Sequence, residues 1–292
     1  MDEVIIDVRL NEYASRDRNP HVPFGPDEIA AAAAACRDEG AGIAHFHARD
    51  PASGAASTDP GLYCEIARAL RGATDLVLLP TLGAGVATDV EVRLAHVAAM
   101  GRDPETRADL APLDLVTTNL TVYDARERRF VSDDRIYANP VRTLRALSEG
   151  VRKAGAHPVP VVWNVGSLRL IEPLLEAGVL REPLYVELTL TAGGILDGHP
   201  PTPRGLEALL DFLPPGLDLE WAVLCVGGNL LDLADRVLES GGHFALGLGD
   251  YPYPELGMPS NAELVRQVVE RARAHGREPA GPGATRRRLG LG

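Results

Sequence analysis

The chain has 292 residues, of which 45% are hydrophobic and 24% are charged, and its formal net charge at pH 7 is −12. Because an acidic surface repels phosphate backbones, this charge argues against nucleic acid as the main partner. The uncharged apolar stretches are too short to span a bilayer and the acidic start is unlike a signal peptide, so we expect a cytoplasmic protein with no membrane partner.

Short apolar runs alternate with longer helical patterns along the whole chain. The predicted strands, in chain order, are 4–10, 42–48, 75–81, 113–120, 159–165, 184–190, 219–226 and 243–250. The helical segments that follow them are 27–38, 60–71, 89–99, 139–154, 168–177, 204–212, 229–239 and 261–274. Strands that are apolar almost throughout are typical of a sheet that is covered on both faces.

Helix start signals support several of these segments. Asp59 and Thr202 each precede a proline, which places a capping residue before a proline at the first helical position. Ser260 and Glu263 have the spacing of a capping box, in which each side chain accepts from a backbone donor of the other residue.

Eight strand–helix units predict a (β/α)8 TIM barrel, an α/β fold, better than a doubly wound sheet. GxGxxG and Walker sequences, which mark dinucleotide and nucleotide sites, are absent from the sequence. We expect a single domain over residues 1–275, and a C-terminal tail over residues 276–292 that packs loosely on the barrel.

Polar residues occupy the C-terminal ends of the predicted strands, where such barrels carry their catalytic groups. In chain order they are Asn11, Glu12, His45, His47, Thr81, Thr118, Asn119, Trp163, Asn164, Glu187, Thr189, Asn229 and Asp250. A ring of polar groups around an apolar barrel predicts a functional site at this end.

The His45-Phe46-His47 segment is the most specific element of this ring. Residues i and i+2 of a strand point to the same side with Cα atoms about 6.6 Å apart, so both imidazoles enter the lumen if Phe46 faces the helices. Two imidazoles at that spacing can bind one cation at roughly 2.0–2.1 Å per nitrogen. We therefore predict a divalent metal site; the alternative is a pair of hydrogen-bonded core histidines.

Two further features are open to two interpretations each. Gly193-Gly194 could let backbone amides approach a carboxylate or phosphate of a ligand, or could simply form a turn. Arg49, directly after the histidine pair, could clamp a substrate carboxylate, or could form a structural ion pair with Asp50 at the rim.

The sequence resembles the β-keto acid cleavage enzymes, which include 3-keto-5-aminohexanoate cleavage enzyme. The resemblance runs nearly end to end and is most specific over Gly40 to Asp50, with further matches at Pro23 to Glu28, Gly193-Gly194, Gly241 to His243, Gly247 to Asp250 and Ser260 to Val265. It implies a (β/α)8 barrel, a divalent metal (usually zinc) and a homo-oligomer, either a dimer or a tetramer. It also implies an acyl exchange in which a β-keto acid and acetyl-CoA, as co-substrate, give acetoacetate and a new acyl-CoA.

The resemblance also implies roles for single residues. His45 and His47 match the metal-binding histidines, and Asp250 matches the catalytic aspartate of the family. The third metal ligand, a glutamate, is replaced by Gly249, and an arginine four residues before it by Ala245. Glu12 and Asp250 are the acids placed to complete the metal shell, and Glu187 is a poorer option.

Two more departures concern the substrate. Thr81 replaces a serine at the end of strand three and keeps its hydroxyl. Val161 and Trp163 stand where the aminohexanoate enzyme has glutamates on strand five, which predicts a less polar substrate tail.

The first hypothesis is therefore a metal-dependent acyltransferase or carbon–carbon lyase acting on a β-keto acid. Asp250 or Glu12 would be the general base, and Thr81 and Asn119 would donate hydrogen bonds to developing oxyanions. The expected substrate-binding residues are Asn11, Arg49, Trp163, Asn164, Gly193, Gly194 and Asn229.

Two other classes of function remain open. The first is a metal-dependent hydrolase, which is disfavoured because such barrels carry the histidine pair on strand one and further histidines on strands five and six. The second is a barrel that has lost the reaction and only binds a ligand.

Overall fold

A computed structural model of the protein describes residues 3–82, 89–132 and 134–291. Its eight barrel strands are β1 Ile6–Arg9, β2 Ile43–Phe46, β3 Val77–Pro80, β4 Leu110–Asp114, β5 His157–Val162, β6 Leu184–Thr191, β7 Leu219–Val226 and β8 His243–Leu246. All neighbouring pairs in the order β3-β2-β1-β8-β7-β6-β5-β4 are parallel. Between β3 and β4, Asp109 donates its N–H to the Leu78 carbonyl and accepts from the Leu78 N–H through Oδ2. The predicted (β/α)8 barrel is confirmed.

The helices lie outside the barrel and follow the strands in turn. They are α1 Pro26–Glu39, α2 Pro60–Ala73, α3 Val90–Met100, α4 Val141–Lys153, α5 Val165–Leu168, α6 Ile171–Glu176, α7 Pro203–Leu210, α8 Ala234–Glu239, α9 Asn261–Ala274 and α10 Pro282–Arg288. Asp59 and Thr202 cap α2 and α7 through side-chain oxygens, and the Ser260–Glu263 capping box begins α9, as the sequence predicts.

Side-chain alternation divides the core into two clusters. Ile5 and Ile43 belong to a cluster inside the barrel, whereas Ile6, Val8, Ala44 and Phe46 pack between strands and helices. Because alternate residues of a strand point to opposite faces, the lumen side of β1 carries Asp7 and Arg9, and the lumen side of β2 carries His45 and then His47. Phe46 faces the helices, as the metal-site prediction requires.

The fourth strand differs from its prediction. It ends at Asp114, whereas the predicted segment 113–120 ran on through Thr118 and Asn119. These two residues pair antiparallel with Ile136–Tyr137 in an insertion between β4 and α4, which also contains a ladder of Val122–Asp124 with Arg129–Ser132. The β-branched residues 116–118 continue the strand pattern, but they lead into a different sheet.

Two predicted helices are broken in the structure. The segment 168–177 is divided into α5 and α6, and the segment 229–239 begins as the 3₁₀ turn Leu230–Leu233 before α8. Among the described residues, every helix is too short or too polar to cross a bilayer.

The described residues 276–291 make closer contacts with the barrel than the loose packing expected from the sequence. Glu278–Pro279 pairs with Glu3–Val4, and Ala280 and Leu289 are buried in the lumen cluster. The segment covers the N-terminal end of the barrel because its apolar side chains complete the core there. Two arginines of the segment also form ion pairs with the barrel, Arg286 with Asp109 and Arg288 with Glu220.

Candidate metal centre and active site

A cavity of about 610 Å³ opens at the C-terminal end of the strands. This volume lies within the range of small-molecule sites. Its charged and polar lining is Arg9, Glu12, Tyr13, His45, His47, Thr81, Asp114, Arg135, Tyr137, Trp163, Glu187 and Thr189, and apolar residues complete the wall. Of the residues predicted to form the site, Glu12, His45, His47, Thr81 and Trp163 therefore face one space.

Glu12, His45 and His47 form a cluster suited to a metal ion. One ligand atom from each lies within 4.8 Å of those of the other two, and His45 Nε2 is 3.2 Å from Glu12 Oε1. Asn11 holds the backbone that carries His47, because its Oδ1 accepts from the His47 N–H at 2.9 Å and its Nδ2 donates to the His47 carbonyl at 3.0 Å. Asn11 thus fixes the backbone position of His47 without itself lining the cavity.

The protonation states of the cluster are those of metal ligands. Burial, followed by the charge of Arg9, lowers the pKa of His45 to about 4, and burial also lowers the pKa of His47 well below its ordinary value. Although burial opposes it, the Arg9 guanidinium holds the pKa of Glu12 below its ordinary range. Two neutral imidazoles and a carboxylate are the ligand forms that a divalent cation requires.

The histidines do not form a hydrogen-bonded pair. Their ring centroids are 5.2 Å apart at an angle of 71°, and His45 Nε2 instead approaches Glu12 Oε1 at 3.2 Å. A neutral imidazole and a carboxylate held this close, with a second imidazole beside them, can share one cation as ligands. The residues present therefore fit a divalent metal with three protein ligands.

Glu12 reaches this position from a backbone with a φ of 26°. A residue other than glycine in the left-handed region costs on the order of 1–3 kcal/mol, so surrounding contacts must hold it there. Arg9 supplies one such contact, an ion pair with the Glu12 carboxylate.

Arg9 stands at the centre of a buried carboxylate cluster. Its Nε donates to Asp250 Oδ1 at 3.1 Å, and its Nη1 donates to Glu187 Oε2 at 3.3 Å. Burial raises the pKa values of Asp250, Glu187 and the neighbouring Asp7, and the charge of Arg9 offsets this only in part. Buried carboxyl groups of raised pKa are suited to accepting and returning protons near neutral pH.

The strand-end pattern does not single out Arg9, because Arg9 lies inside the predicted strand 4–10, whereas the strand in the structure ends at Arg9. The available signal was the alternation of Ile5, Asp7 and Arg9, since two charged residues on one face of an apolar strand are unusual.

At the end of β4, the polar residue in the cavity wall is Asp114 and not Asn119. The Tyr137 hydroxyl donates to Asp114 Oδ2 at 2.5 Å, and the Trp163 indole donates to Oδ1 at 3.2 Å. Burial raises the pKa of Asp114 above its ordinary value. Asn119 is exposed on the insertion and does not line the described cavity.

The contacts of Arg49 lie within the loops around it. Its guanidinium donates to the carbonyls of Gly54 at 2.7 Å, Asn11 at 3.1 Å and Ala14 at 2.5 Å, and lies 4.4 Å from the centre of the Phe24 ring. Within the described residues its partners are these groups and not Asp50, and Arg49 does not line the cavity, so the clamp role stays a prediction. Arg49 fixes the loop that carries Glu12.

The remaining predicted binding residues lie outside the wall of the described cavity. Asn164 caps α5 by accepting from the Ser167 N–H, and Asn229 caps the 3₁₀ turn after β7. Gly193 and Gly194 have φ values of 61° and 90°, and a Cβ at Gly194 would lie 2.3 Å from the Tyr123 carbonyl oxygen. The turn interpretation therefore accounts for both glycines.

Asp250 lies next to the cavity but is not part of its described lining. It is 8% exposed, and its Oδ2 has no hydrogen-bond partner among the described residues. Arg9 binds both Asp250 Oδ1 and Glu187 Oε2, so Asp250 and the cavity-lining Glu187 share one cation.

Fold and site together define a (β/α)8 barrel with the arrangement of an enzyme, in which a metal-type cluster faces a cavity at the catalytic end. The sequence model of the beta-keto acid cleavage enzyme family matches residues 3–291, and the chain belongs to this family. The family resemblance predicted from the sequence is confirmed.

Curated relatives match over nearly their full length. The "3-keto-5-aminohexanoate cleavage enzyme" of Acetoanaerobium sticklandii is 27% identical over 295 residues, covering 100% of this chain and 99% of that protein. The "3-dehydrocarnitine:acetyl-CoA trimethylamine transferase" of Rhizobium meliloti is 27% identical over 295 residues, covering 94% of this chain and 91% of that protein.

Solved structures share the fold at low sequence identity. The apo structure of ObcA has a TM-score of 0.71 and 17% identity, with 94% of this chain covered, and this chain spans 66% of ObcA. The 3-dehydroquinate dehydratase from Geobacillus kaustophilus has a TM-score of 0.53 and 13% identity, over 94% of this chain and 93% of that one.

Proposed function

We propose that this protein exchanges acyl groups between a β-keto acid and acetyl-CoA, giving acetoacetate and a new acyl-CoA, with a divalent metal in its active site. The observation that carries the proposal is the Glu12–His45–His47 cluster in the wall of the cavity, in a chain of the β-keto acid cleavage family. The names of two relatives, which specify cleavage of a keto acid and transfer with acetyl-CoA, support the same chemistry.

The balance of atoms defines what the site must do. In acetoacetate, the acetyl group is joined to the carbon that lay between the ketone and the carboxylate of the substrate. That carbon must lose a proton to a base and bond to the thioester carbonyl carbon, while the thioester C–S bond breaks and releases the CoA thiolate. The thiolate then bonds to the ketone carbon as the bond between the ketone carbon and the same methylene carbon breaks, and the proton returns to the methylene carbon. The site therefore needs a base and a means of stabilising negative charge on oxygen.

The chain offers groups for each role. Glu12, His45 and His47 would hold the cation, for which we propose zinc; when bound, such an ion supplies Lewis-acid stabilisation of oxygen charge. Asp250 is the proposed base, and Glu187 is the second acid on the same arginine. The Thr81 hydroxyl would donate to a developing oxyanion.

We also propose that the substrate tail carries no positive charge. Trp163 and Tyr137 line the side of the cavity near Asp114, and each donates a hydrogen bond to one of its oxygens. Because both oxygens are already bound by neutral donors, Asp114 is poorly placed to pair with a substrate ammonium group.

The testing experiment measures metal content and activity of the purified protein with and without the histidines. We expect about one zinc per chain, and CoA-dependent consumption of β-keto acids with apolar tails in preference to those with amino tails. Both metal and activity should be lost in the His45→Ala, His47→Ala double variant. Equal metal content in the two proteins would refute the site, and turnover without CoA would indicate a hydrolase.

We propose a cytoplasmic homo-oligomer, as the sequence resemblance implies. Phe130, Val131 and Ile136 of the insertion are exposed apolar residues near the cavity mouth, and such groups often mark a protein interface. Light scattering of the purified protein would measure the number of subunits.

A further inference from the structure

Gly249 lies directly against the Glu12 side chain. A Cβ atom at Gly249 would lie 2.8 Å from Glu12 Cγ and 3.1 Å from Glu12 Cβ. Contacts below 3.0 Å are essentially never made by real Cβ atoms, and Glu12 Cγ is not the free end of a flexible chain, since the carboxylate beyond it binds Arg9 and adjoins His45. Any side chain at position 249 would therefore displace Glu12.

The backbone at Gly249 cannot move away to relieve this contact. Its N–H donates to the Arg9 carbonyl at 3.0 Å, and the same carbonyl oxygen would lie 3.1 Å from a Cβ at 249. The φ of Gly249 lies outside the left-handed region, so its backbone conformation alone does not call for glycine. Glycine is needed at position 249 because a side chain there would fill the space that the Glu12 side chain occupies.

We infer that Gly249 is a positioning residue for the metal ligand Glu12: positions 12 and 249 compete for one space, and the carboxylate of the metal site can come from either of them but not from both. The inference rests on the metal site of the proposed function. It gives a reason for the strained backbone of Glu12, because the carboxylate must approach the histidines through the gap that Gly249 leaves.

The test is a double-mutant cycle on metal affinity. The Zn²⁺ affinity is measured by competition with a chromophoric chelator for the parent protein and the Glu12→Ala, Gly249→Ala and Glu12→Ala/Gly249→Ala variants. Gly249→Ala should weaken Zn²⁺ binding about 10–100-fold, as is typical of changes at residues that contact and orient a metal ligand. In the Glu12→Ala background the same change should have no further effect, because the displaced side chain is gone.

A swap variant tests the second half of the inference. Glu12→Ala/Gly249→Glu should regain affinity relative to Glu12→Ala, since the new side chain begins where the Glu12 chain runs. The absorption spectrum of bound Co²⁺ should show the same coordination number in the parent and swap proteins. Gly72→Ala in α2 is a matched control, since a Cβ there would meet no atom within 4 Å.

The outcomes separate this inference from the proposed function. A parent protein without metal, or a double-histidine variant with undiminished metal, overturns the proposed site and this inference with it. Metal binding that is unchanged by Gly249→Ala, or penalties that simply add in the double variant, overturns the inference alone. A swap variant that folds, as judged by its melting temperature, but does not regain affinity excludes position 249 as a source of the ligand.

Discussion

Single residues in this active site serve more than one neighbour. The one guanidinium of Arg9 contacts Glu12, Glu187 and Asp250, so a change at any of these acids alters the charge felt by the other two. A buried arginine of this kind holds its partners in fixed geometry, but it also couples their protonation. The general base of the reaction is therefore expected among the acids that contact Arg9.

Asp250→Asn should slow turnover about 10²–10⁴-fold, the usual contribution of a general base, and should leave Zn²⁺ affinity nearly unchanged. Glu187→Gln should slow turnover less, because Asp250 keeps its contact with Arg9. Steady-state kinetics with a β-keto acid and acetyl-CoA, alongside metal titration, measure both. Loss of activity in Glu187→Gln with little change in Asp250→Asn would instead identify Glu187 as the base.

At the scale of elements, the loop after β1 depends on contacts from the loop after β2. Arg49 donates to the carbonyls of Asn11 and Ala14, and Asn11 in turn holds His47. The two segments that provide all three proposed metal ligands are thus bound to each other through main-chain atoms. A ligand set on connected loops is better ordered than one on independent loops.

Arg49→Ala should lower the free energy of unfolding by about 1–3 kcal/mol, because it leaves buried carbonyl groups without donors. Zn²⁺ affinity should fall with it as the Glu12 loop loosens. Urea denaturation and metal titration measure the two effects, with Arg145→Ala on the exposed face of α4 as the control. An increase in KM for the keto acid with unchanged stability would support the clamp role for Arg49.

The elements that sequence patterns located correctly are those with strong local signals. The proline and capping-box starts of α2, α7 and α9 depend on neighbouring residues alone, and so does the alternation that directs His45 and His47 inward. The end of β4 was missed because a β-branched run favours a strand without specifying its partner. The roles of Arg49 and Asp114 depend on residues distant in sequence, and no local pattern encodes those contacts.

At the scale of the whole molecule, the barrel is closed at one end by its own C-terminal segment. Ala280, Thr285 and Leu289 are buried there, and Leu289 joins the apolar cluster of the lumen. A composition rich in glycine, proline and arginine predicted a loose tail, because composition does not show where a few apolar side chains are buried. The two ends of the barrel therefore have separate tasks, with stability at one and chemistry at the other.

Leu289→Ala should lower the free energy of unfolding by about 2–5 kcal/mol, since it leaves a cavity at the barrel floor. Activity at a temperature well below the transition should persist, because the active site lies at the opposite end. Leu196→Ala, at a side chain that is 57% exposed, is the matched control and should change stability little. A stability change in Leu289→Ala no larger than in this control would show that the segment is indeed loosely attached.

The junction of β3 and β4 relies on a side chain where other strand pairs have continuous ladders. The Asp109 carboxylate that accepts from the Leu78 N–H also binds Arg71 of α2 and Arg286 of α10. Hydrogen bonds to a rotating side chain break more easily than those of a backbone ladder. We therefore expect local opening of the barrel to begin between β3 and β4. Opening along this line would leave strands β1 and β2 paired, and with them the segments that carry Glu12, His45 and His47.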